Sequence, residues 1–430
     1  METTHEIPLV QPPQVPSKWD IIPIHASDVA SFLRCRRYWD WSSPARLNLR
    51  RKVTIEGINF PLWFGSGIHY AMEKYYDPFL SRDPIESFKT WYEYQMNGGV
   101  VTQDWLERVY DSNPQPVHKD PLVNALEDQG VRMSAFDDKV KLWEVRGLRE
   151  IHPDPIMEDF EKHYDLAMGM LSFYKEYAAR EDRFVVVAAE SVFSIPLGFE
   201  AVDMREDSPN YGKKSEVHAR GKRDGITFNP FTALFGLIDH KTAAAVDEEY
   251  FTKLEMDPQC KTYSWAAQEE ARIHDLPYKR IHGVIYNVMA KKYPRMPTIL
   301  RDGISPSVNR KEESTTAELF MQYIQEAGIM DLYDRDPKWQ AYYNWLVGIG
   351  EKQYIWREVA LYNQHELKAH GDHIKMIARE MLNPNLQIYP TPSGNWLCTK
   401  CQFRAPCLAA DDGSDFVVML NDGYEENKGR

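Results

Sequence analysis

The segment between Gly221 and Thr242 limits the possible folds of the chain most, because it contains two runs of strand-forming residues with charged side chains at their ends. Gly221-x-x-Asp224 opens the first run, and the second run ends in Asp239-x-Lys241. Alternate residues of a β-strand share a face, so Asp239 and Lys241 point the same way, about 7 Å apart along the strand. We expect Asp224 to approach them across a hairpin. The pattern predicts two neighbouring strands that bring two carboxylates and one ammonium group together.

Such a group has a chemical use. A carboxylate can hold Mg²⁺ or Mn²⁺ while a neighbouring ammonium orients an attacking water or helps to deprotonate it. Oxygen ligands from Asp224 and Asp239 suit these hard divalent ions. An acidic residue two before a lysine is weak evidence alone, since four other such triplets begin at Asp137, Asp336, Glu366 and Glu426. Those four lack a preceding buried strand or an upstream Gly-x-x-Asp, and without this context Asp239 and Lys241 are expected to form a solvated strand end.

Two further elements add polar side chains. Gln259 and Tyr263 lie four residues apart on a helix predicted from Pro258 to Ile273, so they share a face. Both can hydrogen-bond a phosphate or a lysine, although an ordinary half-buried helix face has the same pattern. His69 follows Phe64-Gly65-Ser66-Gly67 near the start of another predicted helix. Its neutral imidazole can complete a metal shell, and a packed core histidine is the alternative.

Four motifs in this order resemble the signature of the RecB-like branch of the PD-(D/E)XK nuclease superfamily. They are Gly65-x-x-x-His69, Gly221-x-x-Asp224, Asp239-x-Lys241-Thr242 and Gln259-x-x-x-Tyr263, and they span most of the chain. The resemblance implies that a divalent metal is bound by His69, Asp224, Asp239 and the main-chain carbonyl of His240. It implies that Lys241 is the catalytic lysine and that Gln259 and Tyr263 line the phosphate path. Glu190 lies where related proteins often have an acidic residue, and its role stays open.

The expected fold class is α/β, with a mixed sheet flanked by helices as in restriction endonucleases. Strands are predicted at 184–197, 218–228, 233–239 and 280–290, and helices at 25–40 and 258–273, with a helical stretch at 339–381. The predicted divisions are a proline-rich arm (1–24), N-terminal helices with Cys35 and His69 (25–76), a helical insertion (77–183), a nuclease core (184–300), a C-terminal helical region (301–397), a cysteine cluster (398–410) and a loose acidic tail (411–430).

The five cysteines form an odd and sparse set, which argues against a disulfide framework. Cys398, Cys401 and Cys407 cluster near the C-terminus, and a tetrahedral or cubane site needs a fourth ligand, for which Cys35 is the natural candidate. Cys260 resembles a buried helical thiol. Zn²⁺ fits this chemistry, but the arrangement resembles iron–sulfur nucleases of the AddB, CRISPR-associated and phage exonuclease types. That resemblance implies a 4Fe-4S cluster that joins the two ends of the chain.

The net charge and the targeting signals limit which binding partners and which location we expect. A net charge of −13 argues against broad, unspecific nucleic-acid binding but does not exclude a nuclease. Lys291, Lys292 and Arg295 flank Tyr293 after a predicted strand, which suits either contact with a single DNA strand or a solvated connection. The sequence shows no apolar run of membrane-spanning length and no phosphate-binding loop, and its first residues are polar and proline-rich, unlike a signal peptide. We therefore expect a cytoplasmic protein without a membrane partner. Any helicase or recombinase that acts with it would be a separate chain.

The sequence thus predicts a metal-dependent DNA exonuclease that acts on single strands or duplex ends in phage or bacterial recombination and repair. The segment Gly283-Val284-Ile285-Tyr286-Asn287 resembles the phage members of the family. One alternative is a nuclease of CRISPR spacer acquisition or a nuclease subunit beside a helicase. The other is a DNA-binding scaffold without activity.

Overall fold

A mixed β-sheet organises the part of the chain that the computed structural model describes. The described residues are 5–8, 10, 13–17, 19–43, 45–52, 60–97, 154–205, 208–244, 246–255, 257–311, 314–390 and 396–426. Their strands are β1 (Ile21–His25), β2 (Leu49–Arg51), β3 (Val185–Val202), β4 (Lys214–Asn229), β5 (Leu234–Ala243), β6 (Ile281–Ala290), β7 (Ile355–Ala360) and β8 (Tyr424–Glu426). The central sheet has the order β1-β4-β5-β6-β7, with β3 also paired to β4. The predicted α/β class with a mixed sheet is confirmed.

The central pair of strands determines where the charged residues lie. β4 and β5 form an antiparallel hairpin whose last pairs are Ile226 with Leu237 and Gly225 with Ile238. β5 then runs parallel to β6, and β7 is antiparallel to β6. Asp224 is the next residue on β4 after the hairpin pairing ends. The charged ends of both strands therefore lie at one place on the sheet.

Helices cover both faces of this sheet. They are α1 (Ala26–Arg34), α2 (Arg36–Ser42), α3 (Phe60–Tyr75), α4 (Pro84–Asn97), α5 (Asp154–Glu181), α6 (Glu248–Glu255), α7 (Pro258–His274), α8 (Ala317–Glu326), α9 (Met330–Arg335), α10 (Pro337–Ile349), α11 (Gln364–Met381), α12 (Trp396–Thr399), α13 (Arg404–Asp412) and α14 (Phe416–Gly423). None of the described helices combines the length and the apolarity that crossing a membrane requires.

Three apolar clusters hold these layers together. Phe64 and Ile68 of α3 pack with Phe88 of α4 and Tyr174 of α5. On the sheet itself, Leu237, Ile226, Val284 and Val288 pack with Phe251 of α6 and Cys260 and Ala267 of α7. A third cluster joins α1, α7 and α11 to β1, β3 and β4. Burial of this apolar surface is the main favourable contribution to folding.

The helix predicted from Pro258 to Ile273 is confirmed as α7, for local reasons. Asp257 accepts a hydrogen bond from the main-chain nitrogen of Gln259 at 2.8 Å, and Pro258 occupies the first turn. Both residues favour a helix start. The four strand predictions are confirmed as β3, β4, β5 and β6. The predicted insertion over 77–183 is described at its ends as α4 and α5, whereas 98–153 lies outside the described residues.

Several predictions in the N-terminal region were wrong. Residues 21–24 belong to β1 rather than to a proline-rich arm, because Ile22 and Ile24 are buried when β1 pairs in parallel with β4. The helix predicted over 25–40 breaks at Cys35, whose extended backbone ends α1 and caps α2. Within α1, Phe32 is buried whereas Leu33 is 65% exposed.

Other predictions were wrong at positions where packing against distant elements determines the secondary structure. α3 begins at Phe60, so Gly65 and Gly67 lie inside the helix instead of before it. The helical stretch predicted over 339–381 contains strand β7, because Ile355 and Ala360 are buried against β6. The sheet therefore extends beyond 184–300. The acidic tail was expected to be loose, but α14 packs there and β8 pairs with β2.

Candidate active site

Asp224 and Asp239 meet where the hairpin of β4 and β5 opens. Asp224 Oδ2 accepts a hydrogen bond of 2.7 Å from the main-chain nitrogen of His240. The side chain of Asp224 thus satisfies a strand nitrogen just beyond the last main-chain pair at Gly225 and Ile238. A buried main-chain donor needs such a partner. The predicted approach of Asp224 to the second strand is therefore what the structure shows.

An imidazole and a third carboxylate lie beside Asp224. The Nδ1 atom of His69 on α3 lies 3.6 Å from Asp224 Oδ2. One ligand atom each from His69, Glu190 and Asp224 lies within 4.8 Å of the others, a grouping that could hold a metal ion. Glu190 is opposite Asp224 on β3, where its backbone φ of 47° is in the left-handed region. A non-glycine residue rarely adopts this conformation, so the backbone at Glu190 is locally strained.

Lys241 is held between the sheet and α7. Its Nζ atom lies 3.0 Å from Asp239 Oδ2 and donates to Gln259 Oε1 at 3.1 Å. Gln259 Nε2 in turn donates to the hydroxyl oxygen of Tyr263 at 2.7 Å. On the predicted helix face, Gln259 therefore contacts the lysine directly and Tyr263 is linked to it through Gln259. The capped start of α7 determines this position.

The electrostatics of the site favour binding of a cation. Burial raises the pKa of Asp224 and of Asp239, and it raises the pKa of Glu190 to about 7. Burial lowers the pKa of His69, so its imidazole is neutral at pH 7 and able to act as a ligand. The Oδ2 atom of Asp239 is buried and lies 3.0 Å from the Lys241 ammonium, whose hydrogen bond goes to Oδ1 at 3.3 Å, so Oδ2 itself has no well-aligned hydrogen-bond donor among the described residues. These oxygen and nitrogen donors fit a hard divalent ion such as Mg²⁺ or Mn²⁺.

The charge of Lys241 is favoured despite its burial. Desolvation opposes the ammonium, but the adjacent carboxylate of Asp239 outweighs it and raises the pKa of Lys241 above its ordinary value. The side chain therefore carries its proton at neutral pH. It can orient a water or a phosphate and neutralise developing negative charge.

Lys222 is a site residue that the motifs did not identify. Its Nζ atom contacts the carboxylate of Glu190 and lies 4.0 Å from Glu73 Oε2. Lys222 precedes Asp224 by two residues, so strand alternation places both side chains on one face. That spacing was visible in the sequence, but the partner carboxylates on α3 and β3 were not.

The predicted basic segment lies after β6 and packs on aromatic rings. The ammonium of Lys291 lies 5.2 Å above the ring of Phe64, and that of Lys292 lies 5.5 Å above Tyr354. Burial lowers the pKa of both lysines. Arg295 stacks over Tyr293 and is exposed. Among the described residues, no carboxylate pairs with Lys291 or Lys292, so both charges remain available to an anion.

The N-terminal and C-terminal cysteines lie close together. Burial raises the pKa of Cys401, and the neighbouring thiols of Cys35 and Cys407 raise it further. The main-chain nitrogen of Cys401 donates to the carbonyl of Cys398 at 3.3 Å. All five cysteines are free thiols, and Cys260 is buried on α7 away from this group. The structure therefore brings Cys401 near Cys35 and Cys407, although among the described residues only His69, Glu190 and Asp224 are grouped with their ligand atoms within 4.8 Å of one another.

Comparison with known proteins agrees with this geometry. No curated protein matches the chain. The family model of the PD-(D/E)XK nuclease superfamily matches residues 24–408. The matched range contains each residue of the site from His69 to Tyr263, as well as the four clustered cysteines. The chain therefore belongs to the PD-(D/E)XK nuclease superfamily, which implies a metal-dependent nuclease.

Proposed function

We propose that the chain is a Mg²⁺- or Mn²⁺-dependent DNA exonuclease. The observation that carries the proposal is the convergence of His69, Asp224, Asp239 and Lys241 at the opening of the β4–β5 hairpin. In this proposal the metal ligands are His69, Asp224, Asp239 and the main-chain carbonyl of His240. When bound, the ion supplies Lewis-acid charge neutralisation and lowers the pKa of water.

The remaining side chains have distinct roles in the proposal. Lys241 acts as a charged group that orients the attacking water, because Asp239 and Gln259 hold its ammonium in place. Gln259 and Tyr263 line the path of the scissile phosphate. Lys291, Lys292 and Arg295 contact the DNA backbone, which is supported by the lack of described carboxylate partners for the two lysines.

Cleavage of end-labelled DNA tests the activity. Single-stranded and duplex substrates with 5′- or 3′-blocked ends would be incubated with Mn²⁺, Mg²⁺ or a chelator. We expect metal-dependent release of nucleotides from an end, and a loss of at least about 100-fold in Asp239→Asn and Lys241→Met. Lys338→Met is the matched control, since Asp336-Pro337-Lys338 is the same kind of triplet at the start of α10, where Asp336 is the N-cap. Full activity of either site variant would contradict the proposal.

The cellular setting is part of the proposal. We infer a role in phage or bacterial recombination and repair in the cytoplasm, acting on DNA ends, with any helicase or recombinase on a separate chain. A nuclease of CRISPR spacer acquisition or a helicase-associated subunit has the same chemistry, and the neighbouring genes distinguish these settings. A non-catalytic DNA-binding scaffold predicts binding without cleavage. The complete arrangement of Asp224, Asp239 and Lys241 favours the enzyme.

We further propose that Cys35, Cys398, Cys401 and Cys407 bind a 4Fe-4S cluster, with Zn²⁺ as the alternative. The proximity of Cys401 to Cys35 and Cys407 supports the ligand set. Anaerobically purified protein should be brown and hold about four iron atoms per chain. Cys35→Ser should lose this iron, whereas Cys260→Ala, at the buried thiol of α7, should keep it. Colourless protein with zinc would contradict the cluster assignment.

A further inference from the structure

Behind the site, buried hydrogen bonds cross three neighbouring strands. Asn287 on β6 is the register partner of His240 on β5, and Arg357 on β7 is the register partner of Asn287. The side-chain nitrogen Nδ2 of Asn287 lies 2.8 Å from His240 Nδ1, and Arg357 Nε donates to Asn287 Oδ1 at 2.7 Å. Asn287 and His240 are 0% and 3% exposed, so water does not replace these bonds.

The chemistry of the three groups gives these bonds one direction. A guanidinium group only donates, so the Asn287 oxygen must face Arg357. The amide nitrogen of Asn287 then faces His240 and donates to its Nδ1 atom. The His240 ring therefore accepts at Nδ1 and carries its proton on Nε2. One arginine on β7 thus determines the orientation of a ring on β5.

Arg357 is itself anchored to the helices around the site. It forms an ion pair with Asp182, just after α5, and its Nη2 atom donates to the hydroxyl of Tyr174 at 2.9 Å. Tyr76 donates to Asp182 at 2.9 Å, and its ring stacks on His240 at 5.3 Å between centroids. Tyr76 directly follows α3, the helix that carries His69. The network therefore joins the strand and the helix that supply the site.

We propose that Asn287 and Arg357 are positioning residues that hold His240 and, through it, the main chain between Asp239 and Lys241. Successive side chains of β5 point to opposite faces. A rotation of β5 that released the His240 ring would therefore displace Asp239 and Lys241 together. It would also move the His240 nitrogen from Asp224, to which it donates at 2.7 Å. This inference rests on the proposed function, because it assumes that these groups bind a divalent ion.

Binding of Mn²⁺ to the DNA-free protein tests the proposal independently of catalysis. We expect Asn287→Leu and Arg357→Met to weaken Mn²⁺ binding by about 10-fold, as is typical when partners of metal ligands are removed. Arg357→Lys, which keeps a donor, should recover part of the affinity. Arg205→Met is the matched control: it removes another buried guanidinium, which pairs with Asp203 outside the site. It should lower stability without changing Mn²⁺ affinity.

Two further readouts separate positioning from general stability. On DNA, the variants should lower kcat and leave KM unchanged. Nitrogen-15 NMR of histidine-labelled protein, with His240→Gln to assign the signal, should show the Nε2–H form in the wild type. Asn287→Asp keeps the shape and the arginine pair but presents an acceptor, so it should shift the proton to Nδ1.

The outcomes separate this inference from the nuclease proposal. Wild-type Mn²⁺ affinity and kcat in a folded Asn287→Leu variant would overturn the positioning role. An unchanged tautomer of the His240 ring in Asn287→Asp would also overturn it. A wild-type protein that binds Mn²⁺ but does not cleave DNA would overturn the nuclease proposal alone, since the affinity comparison still applies. A wild-type protein that binds no Mn²⁺ would overturn both.

Discussion

The carboxylate of Asp224 accepts a hydrogen bond of 2.7 Å from the main-chain nitrogen of His240, the residue between Asp239 and Lys241. The separation of the two acidic residues is therefore determined by the backbone of the hairpin rather than by flexible rotamers. Both carboxylates are buried, and burial raises the pKa of each. The fold thus maintains an energetically unfavourable group of acids that a divalent ion would stabilise.

The pH dependence of stability should reveal this group of acids. Burial raises the pKa of Glu190 from 4.5 to about 7, so the folded chain retains a proton there that the unfolded chain releases. Since the folded state binds more protons at Glu190 in this window, the contribution of Glu190 to the stability of the metal-free protein should fall as the pH rises from about 4.5 to about 7. The lowered pKa of His69 acts in the opposite direction, so the comparison with Glu190→Gln isolates the contribution of Glu190. Melting in the presence of chelator measures both proteins, and the variant should lose less stability, or gain more, than the wild type across the window. The same change of melting temperature with pH in wild type and variant would contradict the prediction.

Removal of the Lys222 ammonium should strengthen metal binding. Lys222 contacts Glu190 and lies 4.0 Å from Glu73 Oε2, so it neutralises charge that would otherwise attract a divalent ion. The side chain is half-exposed, which limits the effect, and we expect Lys222→Met to bind Mn²⁺ about two- to five-fold more tightly. Isothermal titration calorimetry measures the change. Lys214→Met, at the exposed start of the same strand, should bind Mn²⁺ as the wild type does, and weaker binding by Lys222→Met would refute the prediction.

Two glycines of α3 should respond in opposite ways to alanine. A Cβ atom on Gly67 would lie 2.5 Å from the ring of Trp91, whereas one on Gly65 would lie 3.8 Å from Thr242 Oγ1. Overpacking at Gly67 should cost about 1–3 kcal/mol of unfolding free energy. Gly65→Ala should gain up to about 1 kcal/mol, because alanine favours the helix. Urea denaturation measures the unfolding free energy of both variants. Equal changes in the two would show that the packing of α3 on α4 does not cause the loss in Gly67→Ala.

The buried ion pair of Arg223 and Glu270 should matter for stability. It ties β4, next to Asp224, to α7, and Arg223 also donates to Ser191 Oγ at 2.8 Å. Arg223→Met leaves the Glu270 charge buried and should cost about 3–5 kcal/mol. The double variant Arg223→Met with Glu270→Leu should regain much of that loss, because no unpaired charge remains. Chemical denaturation of the two variants checks this, and additive losses would contradict it.

The sequence by itself determined those features that depend on neighbours along the chain. Strand alternation and a short hairpin are sufficient to bring Asp224 near Asp239 and Lys241. Asp257 and Pro258 start α7 and thereby place Gln259 and Tyr263 on one face. These predictions depend on local periodicity and capping, which act before any long-range contact is made.

Only the tertiary structure decided which distant elements share a face. The pairing of β1 and β7 with the sheet, the helical conformation of Gly65 and Gly67, and the packing of α14 and β8 all depend on burial against partners far away in sequence. The same is true of Lys222 beside Glu190 and of the bonds from His240 through Asn287 to Arg357. Periodicity indicates that a side chain is buried, but the free energy of packing determines which side chains it meets.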